Sequence, residues 1–123
     1  MSSLLHEELS ECIIGAAMKA LNALRPGLDE KIYERALALE LIKQGRRIDQ
    51  QKQFPVFYDG VHVGTLIPDL IVDDIVFADA KVVSGFSDTH IAQLLGYLSI
   101  TDLRLALLLN FKRAKLGWRR VVR

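Results

Sequence analysis

Apolar residues recur at helical spacing from the start of the chain. Leu9, Ile13, Ala17, Leu21 and Leu24 share one face of a segment from about Leu5 to Leu24, which Arg25-Pro26-Gly27 ends. Asp29 is placed to cap a second helix that runs to Gln44, with Gly45 as its stop and Ile32, Ala36, Leu39 and Ile42 as its apolar stripe. The pattern then changes to strands. Phe54–Tyr58 and Val61–Leu66 flank Asp59-Gly60, a strong two-residue hairpin signal. The second of these strands is expected to continue through Pro68 to Val72, to turn at Asp73-Asp74 and to return as Ile75–Val83. Pro55 and Pro68 lack an N–H, which assigns them to edges or bulges. A helix over about Thr89–Ile100 and strands at Arg104–Asn110 and Trp118–Val122 complete the order ααβββαββ. This order predicts an α/β (α+β) fold, a mixed central sheet flanked by helices, in one domain spanning residues 1–123.

These elements bring chemistry-bearing side chains together. Asp69 and Asp79 flank the tight turn at Asp73-Asp74, so they fall opposite each other, or one step off, on neighbouring antiparallel strands. Lys81, two residues beyond Asp79, shares its face. Val76, Ala78, Ala80 and Val82 occupy the other face, which reads as core. Two carboxylates facing each other across a ladder repel, and a proton or a cation must compensate. Lys81 offsets part of that repulsion. Hard oxygen donors of this kind suit Mg²⁺ or Mn²⁺. On the third helix, Ile91, Leu94, Leu95 and Leu98 form an apolar face, and His90, Gln93 and Tyr97 a polar one beside it. Uncharged donors such as Gln93 and Tyr97 suit a phosphate, although a half-exposed helix side would carry the same residue types. His90 is assigned a structural or rim role.

Composition narrows the classes. Half of the 123 residues are hydrophobic and a quarter charged, a globular balance. The net charge of +1 predicts no strong overall pull on nucleic acid, but residues 112–123 hold six basic side chains and no acidic one. Lys112, Arg113, Lys115, Arg119 and Arg120 are therefore candidate contacts to a phosphate backbone, against the plainer reading of a solvated strand end. The single cysteine, Cys12, excludes an internal disulfide, reads as a buried small hydrophobe and fits a reducing, cytoplasmic setting. No signal-peptide pattern opens the sequence, and apolar runs such as Leu105–Leu109 are too short to span a bilayer.

Several short motifs carry a resemblance. Pro68-Asp69 followed by Asp79-Ala80-Lys81 reads as PD…DxK, Gln93 to Tyr97 as QxxxY, and Gly27 to Tyr33 as GxxExxY. Together with His90–Leu98 and the ending Leu108-Leu109-Asn110-Phe111, they make the chain resemble, from about Glu8 to Val122, the GxxExxY family of the PD-(D/E)XK nuclease superfamily. Each motif is weak alone; their order on the expected elements is the specific signal. The resemblance implies a restriction-endonuclease-like fold. It also implies metal-binding carboxylates at Asp69 and Asp79, a metal-binding carbonyl at Ala80, and a water-activating lysine at Lys81. Glu30 matches the additional acidic residue of such sites, and Gln93 and Tyr97 match helix residues that line them. Glu30 equally fits a first-turn glutamate favoured by the helix dipole. The GxxExxY family usually has glutamate where this chain has Asp79, one methylene shorter.

Two functions follow. One is a metal-dependent nuclease that hydrolyses phosphodiesters, with DNA the expected substrate. The other is a non-catalytic nucleic-acid-binding or assembly module on the same fold. The same carboxylates and lysine could instead form only a buried structural network. Because small domains gain from extra buried surface, a homodimer is expected, with Phe54, Phe57 and Tyr58 as interface candidates.

Overall fold

The structure, a computed structural model, describes residues 4–123. Helices α1 (Glu7–Leu24) and α2 (Glu30–Lys43) are followed by strands β1 (Ile48–Asp49), β2 (Phe54–Tyr58), β3 (Val61–Leu66), β4 (Ile71–Val72) and β5 (Val76–Lys81), helix α3 (Asp88–Thr101), and strands β6 (Leu105–Asn110) and β7 (Gly117–Val122). Five strands form a mixed sheet in the order β1-β4-β5-β6-β7, while β2 and β3 form a separate hairpin. β5 and β6 are parallel, joined by the α3 crossover, and the other neighbours are antiparallel.

The sheet is covered on both faces. Val76, Ala78 and Ala80 of β5 and Leu105, Leu107 and Leu109 of β6 pack with α1 and α2. Phe77, Ala106, Leu108 and Val121 pack under Leu94 and Leu98 of α3. The Asp79 face of β5 is therefore itself partly core, since Phe77 shares it and Tyr97 stacks on that ring at 5.5 Å. β6 is buried along its whole length, which the apolar run Leu105–Leu109 reflects, with the polar Asn110 buried at its end.

Three further departures from the sequence reading have physical causes. The strand expected to run from Val61 to Val72 breaks after Leu66: Pro68 offers no ladder donor, so β3 stays with the hairpin and the chain re-enters the main sheet as β4. The apolar stripe of α2 is rotated. Ile32, Leu39 and Ile42 are exposed, and Tyr33, Leu37, Ala38 and Leu41 are buried, a stripe at spacing four that begins one residue later. Asp29 caps α2 by position only, with no side-chain bond to the helix. By contrast, Asp59 and Gly60 both take positive φ, as the hairpin turn requires, and Gly45 closes α2 at φ 81°. Cys12 is half-buried and bonds Gln44 Oε1 at 2.8 Å.

Tyr33 is the hub of the α2 side. Its ring stacks on Phe111 at 4.7 Å and 10°, its hydroxyl donates to the Arg25 carbonyl at 2.6 Å, and it accepts from Leu28 N–H at 3.1 Å. Gly27, at φ 111°, lets the α1–α2 connection fold tightly enough for both bonds. Tyr33→Phe keeps the stack but leaves two backbone groups short of a partner, so a loss of ~1–3 kcal/mol is expected. Leu107→Ala, which opens a cavity in the same core, should cost ~2–5 kcal/mol. Urea unfolding of both variants checks the ranking.

Candidate active site

The site forms where β5 leaves the sheet. Ile71 pairs with Phe77 and Val72 with Val76, and Ala78 N–H donates to the Leu70 carbonyl at 2.9 Å. Continuing this register by one residue sets Asp69, in the bend just before β4, across from Asp79. The turn that enforces it runs through Asp73 and Asp74 at φ 55° and 59°. Aspartate tolerates that region, and both side chains are occupied elsewhere: Asp73 accepts from Arg46 and Arg47 N–H, and Asp74 pairs with Lys52 and Arg47. These two acids pin the turn and lie outside the site.

Asp79 is 5 % exposed, whereas Asp69 is exposed. Lys81 Nζ lies 3.3 Å from Asp79 Oδ2. Burial nevertheless pushes the Asp79 carboxyl up to about 6; Lys81 pulls it down, and the charges of Asp69 and Glu30 add to the rise. One lysine does not balance the cost of burying this carboxylate beside two others.

Pro68 adds a second feature. Backbone groups alternate along a strand, so the Ala80 carbonyl points to the β4 side, as Ala78 N–H does. Pro68, next to Asp69, has no N–H to donate.

Glu30 enters from the first turn of α2, where its Oε1 accepts from Val82 N–H at 3.0 Å. It stands beside an open hollow lined by Leu28, Asp29, Lys31 and Val82. On α3, Gln93 Nε2 reaches the Tyr97 hydroxyl at 3.4 Å, and the two form one wall next to Phe77. His90 is a capping residue: its Nδ1 accepts from Ser87 N–H and Ser87 Oγ accepts from His90 N–H. The spacing Ser87-x-x-His90 carried that signal, with histidine where a capping box usually has glutamate.

The basic residues separate. Lys112, Arg113 and Lys115 are exposed on the β6–β7 loop at the end of the sheet where Lys81 stands, and Arg113 donates to the Ser84 carbonyl at 3.2 Å. Arg119 is level with Leu108 and Asp79, on the α3 face. Arg120 points the opposite way and bonds Ser10 Oγ and the Leu5 carbonyl, which ties β7 to α1. Its expected place at a phosphate backbone is thus taken by a structural role, because neighbours on a strand face opposite sides. Glu34, buried on α2, escaped the sequence reading; it accepts from Gln50 at 3.2 Å and Lys31 at 3.3 Å and holds the segment after β1.

Among the described residues, no three His, Cys, Asp or Glu side chains stand close enough to form a ready-made ion cage. The donor set still fits a hard divalent ion. A carboxylate pair with a backbone carbonyl nearby is a donor set that Mg²⁺ takes when it keeps several waters, and burial, with the Asp69 and Glu30 charges adding to it, already disfavours an uncompensated Asp79 carboxylate.

An acid within a central strand, a second acid in the bend beside it and a lysine two residues on, in a mixed sheet with helices on both faces, fit a nuclease-type fold. The family model of the PD-(D/E)XK nuclease superfamily matches residues 7–121, and the chain belongs to that superfamily. Members of this superfamily generally use divalent metal ions. The structure is similar to that of an alkaline exonuclease from Laribacter hongkongensis, with a TM-score of 0.54 at 12% identity, over 100% of this chain and 72% of the other. That likeness is one of fold. No curated protein matches the sequence.

The Asp79 carboxyl gives a signed pH prediction. Its folded pKa, about 6, lies above the ordinary 3.8, so the folded protein holds the proton more tightly than the unfolded chain. Without metal, stability should fall as pH rises from about 4 to about 6, by on the order of 3 kcal/mol. Asp79→Asn should flatten that slope and raise stability at pH 7. Unfolding curves taken across the window check both; an unchanged slope in the variant would assign the dependence to another group.

Proposed function

We propose that the chain is a divalent-metal-dependent nuclease that hydrolyses phosphodiester bonds of DNA, with Mg²⁺ or Mn²⁺ as its ion, and that it falls in the GxxExxY branch of its superfamily. The observation that supports this is Lys81 beside Asp79 at the exit of a covered strand, with Asp69 near enough to act on the Asp79 carboxyl. Asp69, Asp79 and the Ala80 carbonyl would hold the ion, with Glu30 at its rim. A bound divalent ion supplies positive charge to the phosphate and acidifies attacking water. Lys81 orients that water and offsets the charge that grows on the phosphoryl oxygens. Gln93 and Tyr97 position a phosphate from the α3 wall, and the cations of the β6–β7 loop, with Arg119, hold flanking backbone. One half-buried thiol suits a cytoplasmic setting.

Mn²⁺-supported cleavage of labelled linear, circular and branched DNA tests the reading. Lys81→Ala should lower turnover by ~100-fold or more while metal and DNA still bind, because the lysine acts mainly on transition-state charge. Asp69→Ala should abolish Mn²⁺ binding in calorimetry. Replacing Lys112, Arg113 and Lys115 by alanine should weaken DNA binding and flatten its salt dependence by about 2–3 in slope. Arg120→Ala should instead lower stability. Wild type that binds nucleic acid but cuts none would leave the fold and remove the enzyme.

We also propose a homodimer through the β2–β3 hairpin. Phe57, Tyr58, Val61 and Val63 are exposed there, while Phe54 is half-buried. The free edge of β3, from Val61 to Ile67, carries neither a full charge nor a proline, the guards that usually keep an open edge single. Light scattering at micromolar concentration should give twice the 13.8 kDa chain mass, and Val63→Lys should give the monomer.

A further inference from the structure

The motif Leu108-Leu109-Asn110-Phe111 contributes no group that would touch substrate or ion, yet its polar member is 8 % exposed and makes three hydrogen bonds to backbone. Asn110 Oδ1 accepts from Val83 N–H at 3.2 Å and Lys112 N–H at 3.1 Å, and its Nδ2 donates to the Val83 carbonyl at 2.8 Å. The side-chain amide thus grips both polar groups of Val83, as a neighbouring strand would, at the point where the β5–β6 ladder has ended. One residue earlier, Glu30 Oε1 takes Val82 N–H at 3.0 Å from the opposite side. One residue earlier again, the Lys81 carbonyl takes Phe111 N–H at 2.8 Å. The Phe111 ring lies flat on Tyr33, three residues after Glu30 in the same helix.

Residues 81–83 are therefore held at three successive positions by groups from β6 and α2. Lys81 leaves this segment toward Asp79, and Glu30 is oriented by bonding to it. We infer that Asn110 is a positioning residue of the nuclease site: by clamping Val83 it fixes the backbone from which Lys81 projects and to which Glu30 is anchored. The side chain of an unclamped strand end would swing with its backbone, and small misplacements of an activating group lower turnover steeply. Asparagine suits the task because it offers a donor and an acceptor in one plane without bringing a further charge beside Asp79. The Tyr33–Phe111 stack sets the spacing of the two sides. This gives the motifs at 27–33 and 108–111, far apart in sequence, one common purpose.

The inference rests on the nuclease reading for its catalytic consequence, but not for its structural one, and the experiment separates them. Amide hydrogen exchange in the metal-free protein reports Val82 N–H, whose partner Glu30 is untouched by a change at Asn110. Asn110→Ala should speed exchange at Val82 by about tenfold, with the Leu107 amide unchanged. In Mn²⁺-supported cleavage the same variant should lose ~10–100-fold in kcat, with KM for DNA within about twofold. Val121→Ala, which opens a gap in the α3-side core, is the control for lost stability alone; it should lower Tm and leave kcat near wild type. Asn110→Ser, which retains a polar atom and creates a smaller gap, serves if the alanine variant does not fold, with the same pattern expected at lower amplitude. Exchange at Val82 equal to wild type in a folded Asn110 variant would overturn the inference. So would kcat losses that simply follow Tm across the Asn110 and Val121 variants. If wild type cuts no nucleic acid, the nuclease reading falls, and the exchange result alone decides whether Asn110 holds the segment.

Discussion

A carboxylate at the end of a strand that is covered on both faces sets the terms for this molecule. β5 lies in the middle of the sheet, with α1 and α2 on one side and α3 on the other. Any side chain on it loses water, and among the described residues Asp79 has Lys81 as its salt-bridge partner. The short turn at Asp73-Asp74 then brings Asp69 across the ladder from it. Folding thus buries the Asp79 carboxylate while two exposed acids, Asp69 and Glu30, add their charges beside it. A chain built for stability alone would put an apolar residue at 79, as it does at 77, and would gain from it. The arrangement makes sense as a site that accepts positive charge from outside.

Around that strained point the backbone is held firmly. Glu30, Asn110 and the Phe111 amide fix three successive residues at the exit of β5. Pro68, which has no N–H, ends the hairpin strand before the chain re-enters the main sheet at β4. The same economy appears in α2, where Tyr33 fills the core and closes the α1–α2 connection through its hydroxyl. Rigid support is what electrostatic catalysis demands, because donors and acceptors that must reorganise during a reaction lose most of their effect.

Much of this was legible in the sequence, for reasons that differ by element. The Asp59-Gly60 turn follows from local chemistry, the strand that ends at Asn110 from its apolar run, and the nearness of Asp69 to Asp79 from counting residues about a tight turn. The α2 stripe was misassigned because two apolar sets lie one residue apart on that helix; Ile32, Leu39 and Ile42 have the right spacing but face solvent. Contacts between distant segments, the Tyr33–Phe111 stack among them, decide which set faces inward. β1 is two residues long and exists only by pairing with β4, so it left no local pattern. Arg120 was grouped with the other cations because a charge run says nothing about which face each member takes. The roles of Asn110 and His90 lay in bonds to backbone, which side-chain patterning does not reveal.

The near-neutral total charge conceals a polar end. Asp69, Asp79 and Glu30 stand at the exit of β5, and the β6–β7 loop places Lys112, Arg113 and Lys115 at the same end of the sheet. Arg113 reaches across to the Ser84 carbonyl, so the basic loop is tied to the segment that follows the site. An anion approaching the carboxylates alone would be repelled. With the loop beside them it meets cations a few residues away, and a chain of phosphates can satisfy both by placing one group at the site and its neighbours on the loop. Under the proposed nuclease reading, the basic loop at the same end as the carboxylates would suit a substrate that carries several phosphates, a feature that the sum of charges, at +1, does not contain.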